Sequence, residues 1–243
     1  MKREQQNWRA SALAAGLFAC TAQLVAQGSD VSLRIDILRD KEGARSHSRQ
    51  SAPIEAVVWL SSASSEPRQP TLPPRTFTLT QKEKQFTPHL LVVPTGSSVD
   101  FPNLDPFFHN VFSLFNGKRF DLGLYEAHSY RAVRFDREGI SYIFCNIHPQ
   151  MGAVVVSLST PFYAASQPNG LVTLHNVPGG LYRLHIWAED VPVEQLAALE
   201  REIKVDPTHK DLGVFRLQAS GAIMDHHENK FGKEYTTDPK KIY

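Results

Sequence analysis

The sequence predicts an all-β protein, and three observations carry that reading. Val31, Leu33, Ile35 and Ile37 alternate with Ser32, Arg34 and Asp36, the period of a strand with one buried face. Apolar runs of strand length recur at 54–60 (IEAVVWL), 140–145 and 152–158, the last (GAVVVSL) continuous enough to be buried on both sides. Sixteen prolines, with turn signals such as Pro94-Thr95-Gly96, suit strands and loops better than helices.

Taken in order, the chain begins with a basic lead (Lys2, Arg3, Arg9) and an apolar stretch from Ala10 to Ala26, too short for a membrane span. Residues 1–26 therefore read as a signal peptide cut after Ala26, and the mature chain as periplasmic. Leu17 to Cys20 (LFAC) offers another end, a lipobox-like site that would leave Cys20 lipidated and membrane-anchored. Residues 27–73 hold the strand at Val31, a polar loop from Lys41 to Gln50 with a solvated His47, the strand 54–60, and a Ser/Pro-rich linker from Ser61 to Pro74.

Residues 74–160 read as the next domain. Strands are expected at 76–80 and 86–93, separated by the polar QKEKQ, and a short one at Val99 and Phe101 that breaks in a proline-bounded loop with Asn103 and Asp105. Phe120 to Tyr125 (FDLGLY) should bend at its glycine, and His128 sits in a surface turn. Strands at 131–135 and 140–145 are joined by DREG, a hairpin-type signal, and 152–158 follows. Residues 161–219 should hold further strands, a helix at 193–202, and strands near 203–205 and 212–217, with His175 and His185 packed or paired rather than metal-bound. Residues 220–243 read as a polar tail in which His226-His227, beside Asp225, is a weak metal site at most.

Composition excludes some partners. A formal net charge of +1, from 26 basic and 25 acidic residues, gives no footprint for nucleic acid or an acidic membrane. The chain has 2 cysteines, so a cut after Ala26 would leave Cys145 alone, with no internal disulfide. A lone thiol in an oxidising compartment is a liability unless a metal holds it as thiolate.

The chemistry concentrates at 144–151, FCNIHPQM, where Cys145, His148 and Met151 recur at three-residue steps. A tight loop between strands can curl those side chains toward one point, and His109, in FPNLDPFFHNVFS, would arrive from a neighbouring strand. Singly, a Cys or Met is an ordinary core residue and a His an ordinary surface one. Together they are two imidazoles, a thiolate and a thioether, the donors of a trigonal copper site with a weak axial Met. Two His and a Cys also suit zinc, which in a catalytic site keeps a fourth position open. The soft sulfur donors and the affinity order favour copper.

FCNIHPQM, with FTPHLLVVPTGSSVDFPNLDPFFHNVFS upstream, resembles the cupredoxins, and its C-x-x-H-x-x-M loop is similar to that of amicyanin. With FDLGLY and VPGGLYRLHIW the chain resembles the plastocyanin-like methylamine utilisation proteins, most specifically from about Arg75 to Leu158. The resemblance implies a Greek-key β-sandwich holding one type 1 copper through His109, Cys145, His148 and Met151. Asn110 would orient the ligands by bonding across to the Cys loop. It also implies a non-enzymatic carrier of single electrons between redox proteins such as a c-type cytochrome or a dehydrogenase. His148 would be the exit, through a patch of Phe107, Phe108, Pro149 and Phe115. Storage, delivery or sensing of copper is the alternative. PNGLVTLHNVPGGLYRLHIWAED resembles the tail half of carboxypeptidase-regulatory or transthyretin-like β-sandwiches, and Val31 to Leu60 the first half, so a second small sandwich split around the first is expected.

Overall fold

The structure, a computed structural model, describes residues 28–39, 55–63, 71–114, 117–208, 210–220 and 228–235. The expected signal peptide with Cys20, the expected polar loop with His47, Phe115 and the pair His226-His227 all fall outside the described residues.

The chain is all-β, with one short helix among the described residues. First come β1 (Ser29–Arg39) and β2 (Ala56–Ser62). A middle block holds β3 (Thr76–Thr78), β4 (Thr80–Lys82), β5 (Gln85–Thr87), β6 (Leu90–Pro94), β7 (Ser98–Pro102) and β8 (His109–Ser113). It continues with β9 (Phe120–Tyr125), β10 (Tyr130–Arg134), β11 (Gly139–Cys145) and β12 (Gly152–Leu158). The last block holds β13 (Tyr163–Ala165), β14 (Leu171–Val177), β15 (Gly180–Ala188), α1 (Val193–Leu199), β16 (Arg201–Val205) and β17 (Asp211–Ala219).

Pairing follows the blocks. β1 lies between β14 and β17, and β2 between β13 and β15, so the first two strands pair with the last block and leave the middle block to form its own sheets. There, β6-β12-β11-β8-β9 faces the smaller β10-β7-β3 across a core of Val99, Phe101, Val111, Ile143, Val155 and their neighbours.

The five-stranded sheet is buried on both faces at β12, and this explains the apolar run of that strand. All seven of its residues are buried. Ala153 and Val155 enter the first core, while Val154, Val156 and Leu158 enter a second one shared with β1, β2, β14, β15 and β17. Trp187 meets Tyr142 edge-on across that second core, at 6.3 Å between ring centroids. Alternation in β1 matches its sequence: Val31, Leu33 and Ile35 are buried. Gly170 makes the close approach that holds β1 to its turn. It has φ +79°, and a Cβ there would lie 2.2 Å from the Ile35 carbonyl oxygen.

Several local expectations are refined or corrected by what is observed. QKEKQ is no mere separator: β4 and β5 form a hairpin across it, with Glu83 and Lys84 both at positive φ, as a two-residue turn of matching twist requires. FDLGLY bends at its glycine, as expected, yet stays within the sheet. It pairs with β8 through an irregular register that absorbs Gly123 at φ +67°. DREG joins strands of different sheets, since β10 pairs with β7 and β11 with β12 and β8, so it makes a crossover and not a hairpin. The polar C-terminal stretch is also partly built in: residues 228–235 form a turn docked on the middle block.

Candidate metal centre

The site is assembled from the loop before β8 and the loop after β11. Asn103 shapes the first: its side-chain oxygen accepts the Asp105 N–H at 3.0 Å, and its amide donates to the Phe107 carbonyl at 2.8 Å. Asp105 is thereby turned inward. Its carboxylate accepts the backbone N–H of Glu83 at 2.6 Å and of Lys84 at 3.0 Å, both from the β4–β5 turn. Burial alone would raise the Asp105 carboxyl, but these two donors and His109 outweigh it and hold the group below the ordinary carboxylate range.

An ionised Asp105 can only accept, so His109 must donate to it from Nε2, at 2.8 Å. That fixes the tautomer and leaves Nδ1 of His109 bare. This nitrogen lies 3.6 Å from Cys145 Sγ, and Nδ1 of His148 lies 3.7 Å from the same sulfur. The ligand atoms of the three residues all fall within 4.8 Å of one another.

The second loop is pinned at its neck. Cys145 donates its N–H to the Met151 carbonyl at 3.2 Å, and Met151 donates to the His148 carbonyl at 3.0 Å. Met151 is fully buried in the same core as Cys145, where β12 begins. Phe107 closes one side, with its ring 5.3 Å from His109 and 5.5 Å from His148 between centroids.

Electrostatics suit a cation. Burial pushes the His148 imidazole down to about 4, helped by His109 and Lys84. Burial likewise lowers His109 against the pull of Asp105. Both rings are therefore neutral donors near pH 7. Burial pushes the Cys145 thiol up, while the backbone N–H groups of Asn110, Ile147 and His148 pull the other way. A single S–H proton cannot satisfy two nitrogens, so the converging lone pairs lack a common positive partner. A metal bound to sulfur at about 2.3 Å and to nitrogen at about 2.0 Å, near 120° apart, would set each S–N separation at about 3.7 Å. Both observed S–N separations, 3.6 and 3.7 Å, match that value.

Asn110 links strand and loop through its backbone. Its carbonyl accepts the Asn146 N–H at 3.1 Å, while its side chain turns to Asp121 at 2.7 Å rather than to the Cys loop. Of the other histidines singled out, His175 pairs with Asp30 at 3.0 Å. His185 sits between Ser61 and Glu200 and stacks on Trp59. His128 is in an exposed turn. In the loop before β8, Phe108 is 48% and Leu104 50% exposed, and Pro149, next to His148 in the chain, is exposed.

Two contributions escaped the sequence reading. Asp105 at i−4 from His109 was legible only as a loop breaker. Residues 228–235 bring Lys230 and Tyr235 onto the Cys loop: Lys230 donates its N–H to Asn146 Oδ1 at 3.0 Å, and Tyr235 its hydroxyl to the Cys145 carbonyl at 2.8 Å.

No family model matches this chain, and no curated protein does. Solved structures that resemble it include a purple cupredoxin from Nitrosopumilus maritimus, at 22% identity and TM-score 0.31, covering 34% of this chain and 99% of that one. A variant of amicyanin in its oxidized state aligns at 19% identity and TM-score 0.33, over 34% of this chain and 82% of that one. A copper-containing nitrite reductase from Thermus scotoductus aligns at 17% identity and TM-score 0.33; the match spans 51% of this chain and 28% of that one.

Proposed function

We propose that this chain is a type 1 copper protein of the cupredoxin kind that carries single electrons between redox partners in the periplasm. His109, Cys145 and His148 would hold the metal, with Met151 as the fourth donor. The observation that carries the reading is the placement of two imidazole nitrogens at 3.6 and 3.7 Å from one buried cysteine sulfur. Soft and borderline donors in that number suit copper. Bound copper would supply one-electron chemistry between its two common oxidation states.

The protein's part is to hold donors still. Asp105 keeps the His109 tautomer, the N–H groups around Cys145 bear on sulfur charge, and Phe107 shields the rings from water. A buried β-frame that leaves the donors where they are in both oxidation states lowers reorganisation. Four protein donors leave no position for a substrate, which favours a carrier over an enzyme. His148, less buried than His109, with Phe107 against its ring and the exposed Phe108 and Pro149 next to these two in the chain, is the contact surface for a c-type cytochrome or a dehydrogenase. The strands before and after the middle block are read as a second, carboxypeptidase-regulatory-like sandwich.

The visible spectrum of copper-loaded protein beside Cys145→Ser tests this. Intense colour that bleaches reversibly with one electron, and is lost in the variant, is expected. Colour retained in the variant would overturn the ligand assignment.

A further inference from the structure

The segment Glu228–Tyr235 has the polar composition of a loose tail, yet it is a formed turn. Asn229 Oδ1 accepts the N–H of Phe231 at 2.9 Å and of Lys233 at 3.3 Å, and Gly232 at φ +68° closes the backbone bond to the Asn229 carbonyl at 2.9 Å. Its polar groups converge on the back of the cysteine ligand. Lys230 Nζ reaches Asp121 Oδ2 at 2.7 Å, while Asp121 Oδ1 accepts the Asn110 side chain at 2.7 Å and the Gly123 N–H at 3.0 Å. Asn110 in turn accepts the Asn146 N–H, and Asn146 accepts the Lys230 N–H. Asn110, Asp121, Lys230 and Asn146 thus close a ring of hydrogen bonds around the loop. Tyr235 completes the fastening at the Cys145 carbonyl.

The peptide between Cys145 and Asn146 precedes the two whose N–H groups, from Ile147 and His148, face the sulfur. Fixing the Cys145 carbonyl fixes the start of that run of peptide planes, and with it the aim of the donors. Hydrogen bonds to a thiolate disperse its charge and weaken its donation to the metal, which favours the reduced ion.

We propose, resting on the copper reading above, that the C-terminal segment is part of the metal centre, with Tyr235 a positioning residue that sets the Cys145–Asn146 peptide and so raises the reduction potential and slows copper loss. Lys230 is the clasp that holds the segment in register.

The test compares full-length wild type, Tyr235→Phe, Lys230→Met and, as control, Tyr130→Phe, whose side chain is 62% exposed on β10 away from the ring of bonds. Each is loaded with copper and read by visible spectrum, reduction potential, loss of copper to a chelator, and thermal melt. Tyr235→Phe should shift the potential downward, displace the sulfur-to-metal band, and release copper about tenfold faster, the low end for loss of a group supporting a ligand. Lys230→Met should move the same readouts in the same direction by less, and decides the matter if Tyr235→Phe does not fold. Tyr130→Phe should match wild type. A Tyr235→Phe protein that melts earlier with its potential and spectrum unmoved has lost only packing, and the positioning role falls. A wild type that never colours with copper removes the metal reading itself, a separate failure.

Discussion

Asp105 accepts a 2.8 Å hydrogen bond from His109 Nε2, with the histidine ring fully out of solvent, and this contact decides which nitrogen faces Cys145. Without it, either tautomer could face the sulfur. Asp105→Ala should therefore weaken copper binding by about 10- to 100-fold, the range for losing a carboxylate behind a ligating histidine. Asp105→Asn, which keeps an acceptor, should lose less. Chelator competition measures both, and an unchanged affinity in Asp105→Ala would show that the ring is oriented by packing alone.

Acidification should destabilise the metal-free protein. His148 is held at about 4 and His109 is also lowered, while in the unfolded chain both titrate near 6.5. Between about pH 6.5 and 4 the unfolded state binds more protons, so stability falls as pH drops through that window, and below it His148 adds nothing further. Asp105, lowered from 3.8, adds a second loss as pH falls through its folded value. Urea midpoints of metal-free protein at several pH values report the slope, which His148→Gln should flatten. An equal slope in that variant would contradict the assignment.

The two faces of β12 should separate stability from the metal site. Val154 and Val155 are both fully buried, but in different cores. Either Val→Ala change should cost about 1–3 kcal/mol. Only Val155→Ala, whose core includes Cys145 and Met151, should also alter the copper spectrum. Denaturant unfolding and absorption on the same samples test the contrast.

Phe108, 48% exposed and next in the chain to Phe107, whose ring meets His148, is the proposed partner contact. Phe108→Asp should leave the spectrum intact and slow electron exchange with a c-type cytochrome by about fivefold or more, the equivalent of the roughly 1 kcal/mol that only a minority of interface residues exceed on truncation. Stopped-flow mixing reads it, and an unchanged rate would move the docking surface elsewhere.

The three residues whose ligand atoms meet in the structure were legible because C-x-x-H is a local pattern and His109 opens a strand of strongly apolar flanks. The double-sided burial of β12 was legible as well, since GAVVVSL has no polar face to give to water. What was hidden depends on backbone groups and distance. Asp105 is aimed by N–H donors from Glu83 and Lys84, and a backbone donor leaves no mark on the residue that carries it. Lys230 and Tyr235 reach Asn146 and Cys145 across 84 and 90 positions of chain, where no periodicity extends. DREG misleads for a related reason: turn residues report that the chain reverses, not which sheet receives the next strand.

X-ray absorption at the copper edge of the loaded protein tests the shared centre most directly. One short sulfur scatterer with two imidazole nitrogens, the sulfur vanishing in Cys145→Ser, is the expected result. A copper shell of nitrogen and oxygen alone, the same in both proteins, would place the metal somewhere other than between His109, Cys145 and His148.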